Sequence, residues 1–481
     1  MDSLSGAGSL TGSQRGSALA RASCDALEAA QKRSSRAQRQ ILEDGFQSIA
    51  GDPDCSPDEK IIAAMALKMQ KAIPRHQSAV SASRIAMDTI ACSFACSPGA
   101  FADTLAAAVA HLTHEAYISC DRSEHKSDPG PAVLKAGMDA LQMNAISKKE
   151  RALAGLGQTM LSSNHSYEAY QIMSVMSQPL SMPLAAHIAE AMLYTAGSGS
   201  ADREASKDAL LQAFSAIEKS PLSSPAEKEV AQFGDSVLSD HGASKETMAC
   251  AGAVMSELSR TLKDSPAAVI AKAAVKSYPD LLIFLYDTPR LNKVIESAFS
   301  SIKGSPAANE DEKRLAALGA SIMEKIPTGE AALTFSRKLL TAIAYPPEKP
   351  RNHSIIEGAE LGAAAPSDLS EKREIFLLAF KAIEADQSLD GEKRALAGAA
   401  VKVGETFSDT KLAVDTMHDL AEQFVGRRKS DNLKDVEELM GGVKREGRPS
   451  GGKIEMDESV IDIDGVRLKR KSGRFSHLRA R

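Results

Sequence analysis

The sequence predicts an all-α protein, an α-solenoid of about five ~83-residue units between disordered ends, each unit holding four helices as two pairs of ~42 residues. Three observations predict it. A five-residue motif of small, large apolar, any, small and Ile or Leu recurs: Gly45-Phe46-Gln47-Ser48-Ile49, Gly137-Met138-Asp139-Ala140-Leu141, Ala213-Phe214-Ser215-Ala216-Ile217, Ala298-Phe299-Ser300-Ser301-Ile302 and Ala379-Phe380-Lys381-Ala382-Ile383. The large residues stand 92, 76, 85 and 81 positions apart. Each motif is followed by a second, gap-free block, and the composition favours close-packed helices.

The second block opens on a charged residue thirteen positions after the large one, or twelve in the second copy: Glu59, Glu150, Glu227, Glu312 and Lys393. A base follows each directly. Four residues past the charge stands an Ala column: Ala63, Ala154, Ala231, Ala316 and Ala397. Another small residue comes three later, and three beyond that Met69, Met160, Val237, Ile322 or Val403. Steps of three and four put these positions on one helix face, where small residues admit a neighbouring helix closely. Links such as 51–57 and 219–225 carry Pro and Ser, which end one helix and cap the next. The repeated acid then falls in a first helical turn, where helix dipole and solvation account for it without an acid/base role.

The rest of each unit reads as two further helices, for example 78–96 with 99–119 and 245–263 with 266–276. In the fifth unit only 409–425 follows the Ala helix, an amphipathic segment that reads as a cap. Aromatic residues make up 4% of the chain and Trp is absent, so Ala, Leu, Ile, Val and Met must build the core. That choice suits helices better than sheets. The period, the pairing and the small-residue packing resemble HEAT and armadillo repeats over roughly residues 22–428. Such a resemblance implies binding of partner proteins through a surface rather than a pocket.

Residues 1–21 are Ser- and Gly-rich with few large apolar residues, and are expected to be a disordered leader. The body spans 22–428 and a flexible basic tail 429–481. In that tail the stretch from Ser459 to Arg470 alternates apolar and polar residues around Asp464-Gly465, a hairpin signal. From Arg467 onward seven residues are basic and none acidic, so a net charge of -5 divides into -12 for residues 1–466 and +7 for residues 467–481. Arg467, Lys469, Arg470, Lys471 and Arg474 resemble an import signal or a polyanion-binding patch.

Cys92 and Cys96 with His111, His114, Cys120 and His125 lack the paired knuckles of a zinc site, so no metal is expected. The six cysteines show no disulfide framework and read as reduced. No motif for a nucleophile, a phosphate loop or a metallohydrolase occurs, so neither catalysis nor a cofactor is expected. The longest strongly apolar run, 281–286, is too short to cross a bilayer, and a soluble protein is expected. Two function classes remain: a scaffold for protein partners, and a nucleic-acid or acidic-membrane binder using the basic tail. Leader, reduced cysteines, Ala-rich repeats and tail together resemble a bacterial type III-secreted effector acting in a host cell.

Overall fold

The computed structural model describes residues 13–30, 34–72, 77–92, 104–118, 130–144, 147–197, 202–277, 288–326, 329–346, 351–426, 460–463 and 466–469. They contain twenty helices and one short hairpin, arranged in two compact units, 1–313 and 314–481. The body is all-α, as expected, with consecutive helices packed on one another in the manner of a helical solenoid.

The helices are α1 (Gln14–Ala29), α2 (Ser35–Gly51), α3 (Pro57–Ala72), α4 (Gln77–Ala91), α5 (Leu105–Ile118), α6 (Gly130–Asn144), α7 (Lys148–Ser162), α8 (Ser166–Met176), α9 (Leu184–Gly197) and α10 (Arg203–Lys219). They continue with α11 (Pro225–His241), α12 (Lys245–Leu258), α13 (Pro266–Lys276), α14 (Thr288–Gly304), α15 (Glu310–Lys325), α16 (Glu330–Ala344), α17 (Arg351–Ala364), α18 (Leu369–Glu384), α19 (Gly391–Thr406) and α20 (Thr410–Phe424). The five-residue motif lies on α2, α6, α10, α14 and α18, and the Ala column on α3, α7, α11, α15 and α19. Four helices separate each motif from the next, as the period predicts.

The phase of the repeat differs from the sequence expectation. The leader was expected to be disordered through residue 21, yet α1 begins at Gln14, capped by Ser13, and buries Ser17 and Ala20. Small residues suffice there because α1 packs closely on α2 and α4. In the same way α5 packs on α6 and α8, α9 on α10 and α12, and α17 on α18 and α20. Among the described residues the same closed arrangement is therefore met in the four-helix repeats that begin at α1, α5, α9 and α17, and α13 to α16 keep the same order along the chain. Accordingly, α20 is the ordinary fourth helix of the last repeat, and no added cap is needed to explain it. Residues 1–12 lie outside the described residues.

The columns sit where their chemistry puts them. Phe46, Met138, Phe214, Phe299 and Phe380 are each 0% exposed, as are all five residues of the Ala column. The small residue three beyond the Ala receives the large residue of the motif helix. A Cβ built on Gly157 would stand 2.3 Å from the Met138 methyl, and one on Gly234 2.4 Å from the Phe214 ring. Only the motif's second small residue behaves otherwise: Ser48 is exposed and just Ala140 of that column is buried. Successive repeats meet through third helix on second helix, in α3 with α6, α7 with α10 and α11 with α14.

The acidic column is the second correction. Glu59, Glu150, Glu227 and Glu312 are 0–6% exposed, so solvation does not explain them. Each caps its own helix reciprocally: Ser56, Ser147, Ser224 and Asn309 donate a backbone N–H to the carboxylate at 2.7–2.8 Å. In three of the four, Glu59, Glu150 and Glu312, the same carboxylate also reaches the start of the first helix in the repeat. Glu59 accepts from Ser13 N at 2.9 Å and Ser13 Oγ at 2.7 Å. Glu150 accepts from Thr104 Oγ1 at 3.3 Å, and Glu312 from Ser265 Oγ at 2.9 Å. One negative charge thus sits between two helix N-termini whose dipoles both favour it, which explains its burial. Lys393 breaks the column in the fifth repeat. Asp386 takes its place, accepting from Asn352 of α17 at 2.8 Å and from Ser388, with Arg314 at 3.1 Å. Burial opposes the charge on Asp386, but these donors outweigh it and hold the carboxyl far below its ordinary range.

Candidate interaction surfaces

Successive repeats also meet through fourth helix on first helix, in α4 with α5, α8 with α9, α12 with α13 and α16 with α17, and the features that change from copy to copy lie on these helices. In the second repeat an aromatic cluster fills the seam between them. His114 and Tyr117 of α5 both stack on Tyr170 of α8, with ring centroids 4.9 and 4.7 Å apart. Tyr167, one turn before Tyr170, lies 6.3 Å from it and is 44% exposed. Thr195 of α9 donates to Glu168 of α8 at 3.0 Å, so Tyr194, 65% exposed, stands on the helix beside the cluster. Ile118, next to Tyr117, is also largely exposed. Burial lowers the basicity of His114 even though Glu115 lies 3.4 Å from its Nδ1. Four of the chain's seven tyrosines therefore gather on three helices of a protein with 4% aromatic residues.

The fifth repeat leaves the corresponding seam open. A groove of about 560 Å³ between α17 and α20 is lined by Glu357, Glu360, Leu361, Ala364 and His418. Leu361 is 50% exposed. Lys338 neutralises Glu357 at 3.1 Å. His353 of α17 meets Phe424 of α20 edge-on, and His418 of α20 meets Phe376 of α18 in the same way. His418, Asp419 and Glu422 of α20 bring donor atoms within 4.8 Å of one another, the one such set among the described residues.

Arg467 and Lys469, singled out in the sequence, lie on the second strand of the hairpin formed by β1 (Val460–Ile463) and β2 (Val466–Lys469). The strands are antiparallel, with Arg467 registered opposite Asp462 and Lys469 opposite Val460. Asp464 and Gly465 lie outside the described residues. Arg470, Lys471 and Arg474 lie outside the described residues, as do Cys96, Cys120 and His125 of the discounted metal set. Cys24, Cys55 and Cys250 are free thiols. Complete burial pushes the Cys250 thiol up to about 12.

Neither seam was singled out in the sequence. Tyr167 and Tyr170 share a helix face at a spacing of three, but their partner Tyr117 is some fifty residues earlier, and only folding joins them. Among the described residues no helix is long and apolar enough to cross a membrane. Comparison with protein-family models, with curated proteins and with solved structures gives no match. The fold and its surfaces define the class, a helical repeat protein, and the functional argument rests on them.

Proposed function

We propose that this protein is a non-enzymatic scaffold that binds partner proteins through the surface of its helical repeats. The observation that carries the reading is the tyrosine group of α5, α8 and α9, in which Tyr167 and Tyr194 are exposed beside the stacked Tyr117 and Tyr170. Tyr offers large contact area at low entropic cost and is enriched in binding hot spots. The Glu–Lys and Glu–Arg pairs, the only acid-base feature that repeats, are used up in capping helices, which supports a non-catalytic role. The HEAT/armadillo resemblance supports the same class.

The test is affinity capture with the full chain as bait, compared with a Tyr167→Ser/Tyr194→Ser variant of unchanged circular dichroism. Loss of specific partners in the variant is expected. Retention of every partner would remove the cluster from the binding surface.

A second reading, favoured by seven bases without an acid from Arg467 onward, is binding of nucleic acid or an acidic membrane through that segment. It predicts heparin affinity that falls steeply with salt and disappears in a Lys469→Ala/Arg470→Ala/Lys471→Ala variant. The biological setting we propose is a bacterial effector acting inside a host cell. The Ser/Gly-rich start, the thiols and the import-like bases support it. A reporter fused to the chain should enter host cells only from bacteria with an intact secretion system; entry without that system, or none at all, would refute it.

A further inference from the structure

The link from the second repeat to the third is held from outside itself. Ser177-Gln178-Pro179-Leu180-Ser181-Met182-Pro183 joins α8 to α9, and its two prolines lack a backbone N–H. Within the link Gln178 N donates to the Val175 carbonyl at 3.1 Å and Ser181 N to that of Pro179 at 2.9 Å. The carbonyls of Leu180 and Met182 are taken instead by a side chain of α7: Lys149 Nζ donates to them at 3.2 and 2.7 Å. One half-buried ammonium, from the third helix of the second repeat, thus straps the link to the body.

His187, in the first turn of α9, faces the same two carbonyls and the same ammonium. It is 3% exposed, and neither ring nitrogen has a protein hydrogen-bond partner. A neutral imidazole leaves one buried N–H unmet; an imidazolium presents two, and sets a second positive charge beside Lys149. Burial first, and Lys149 second, hold the ring neutral to a lower pH than usual, while the two carbonyls pull the other way. Glu190 of α9 lies 3.9 Å from Nδ1, but its side chain is 41% exposed and screened by water. Among the described residues no charge on α8, α10 or α12, the other helices packed on α9, bears on the ring.

We propose that Lys149, the link 177–183 and His187 form a proton-operated catch between the second and third repeats. A proton on His187 gives the Leu180 and Met182 carbonyls a competing donor, repels the Lys149 ammonium and releases the link from α7. The catch is shut with His187 neutral, at and above the ordinary histidine value of about 6.5, and opens as pH falls below it. The joined helices α8 and α9 also carry Tyr167 and Tyr194, so the state of the catch bears on the binding surface proposed above. The catch itself does not rest on that reading.

The experiment follows the Met182 amide by NMR relaxation in the deuterated full chain labelled with ¹⁵N-methionine. Met138, 0% exposed in the middle of α6, is the internal control. Between pH 7.5 and 5 the order parameter of Met182 should fall from a rigid value of about 0.85 to a flexible one below about 0.6, while Met138 stays rigid. His187→Leu should keep Met182 rigid at both pH values, and Lys149→Met should leave it flexible at both. Equal mobility of Met182 at both pH values in the wild type would overturn the proposal, and so would a pH response that survives His187→Leu. Loosening of Met138 together with Met182 would mean that acid unfolds the repeats as a whole, with no catch. A rigid Met182 in Lys149→Met at pH 7.5 would show that the ammonium does not hold the link, and that result decides the matter even if His187→Leu fails to fold.

Discussion

The column of small residues on each third helix makes a prediction that can be worked from contacts at three glycines. At Gly155, in the middle of α7, a Cβ would meet nothing within 4 Å. Alanine there gains only helix propensity, so Gly155→Ala should stabilise by about 0.5–1 kcal/mol. At Gly157 the new Cβ would stand 2.3 Å from the methyl and 2.6 Å from the sulfur of Met138. Methionine is unbranched and can swing aside at small cost, so Gly157→Ala should be nearly neutral. At Gly234 it would stand 2.4–2.8 Å from three atoms of the Phe214 ring. That ring is 0% exposed, and comfortable carbon contacts begin near ~3.5 Å, so it must move about 1 Å into a packed core. Overpacking of about 1–3 kcal/mol then outweighs the propensity gain, and Gly234→Ala should destabilise by about 1–2 kcal/mol. Urea unfolding of the full-length variants, followed by circular dichroism, gives the order Gly155→Ala above wild type above Gly234→Ala. If Gly234→Ala stabilises as much as Gly155→Ala, the small column does not receive the large one and the packing scheme fails.

Replacing the fully buried Ala231 or Ala316 with Leu should cost about 1–3 kcal/mol, while Lys313→Leu should cost little; equal small effects in urea titrations would misplace the Ala column. Removing the carboxylate in Glu59→Ala takes an acceptor from Ser13 and Ser56 and should cost about 2 kcal/mol, whereas Lys393→Ala, outside any such bridge, should be near neutral in the same assay. His187 of α9 is 3% exposed, and burial, with Lys149 nearby, lowers its pKa, so the folded chain refuses a proton that the unfolded chain accepts. Stability should therefore fall as pH drops below about 6.5, with the backbone carbonyls of Leu180 and Met182 only partly offsetting the loss, and His187→Leu should flatten that slope in melts from pH 7.5 to 5.

What was legible in the sequence is what local physics determines. The period, the four helices per repeat and the buried columns follow from residue type at fixed spacing, and α20 begins and ends within a residue of its expected limits. The phase was hidden because α1 is built of Ser, Gly and Ala, a composition that forms a helix only when a neighbour accepts its close approach. The acids were visible as a column, but their bridge to Ser13, Thr104 and Ser265 joins residues 46 or 47 positions apart. Charge at a first helical turn reads the same whether solvent or a second helix terminus faces it. The two seams stayed hidden for a similar reason, because first and fourth helices become neighbours only once a repeat has closed.

Excision of a repeat tests the central claim most directly. Deleting residues 183–264 removes the third repeat whole, α9 to α12, and joins Met182 to Ser265, which still caps α13. Deleting 183–223 removes α9 and α10 alone, leaving α11 and α12 without the first helix that closes their repeat. In a stack of four-helix repeats each copy contacts only its neighbours, so the first product should keep its helical content per residue and unfold cooperatively, while the second should lose cooperativity or aggregate. Calorimetry and circular dichroism of the two products read the difference. Collapse of the whole-repeat deletion, or equal behaviour of both, would contradict the four-helix repeat as the unit from which this protein is built.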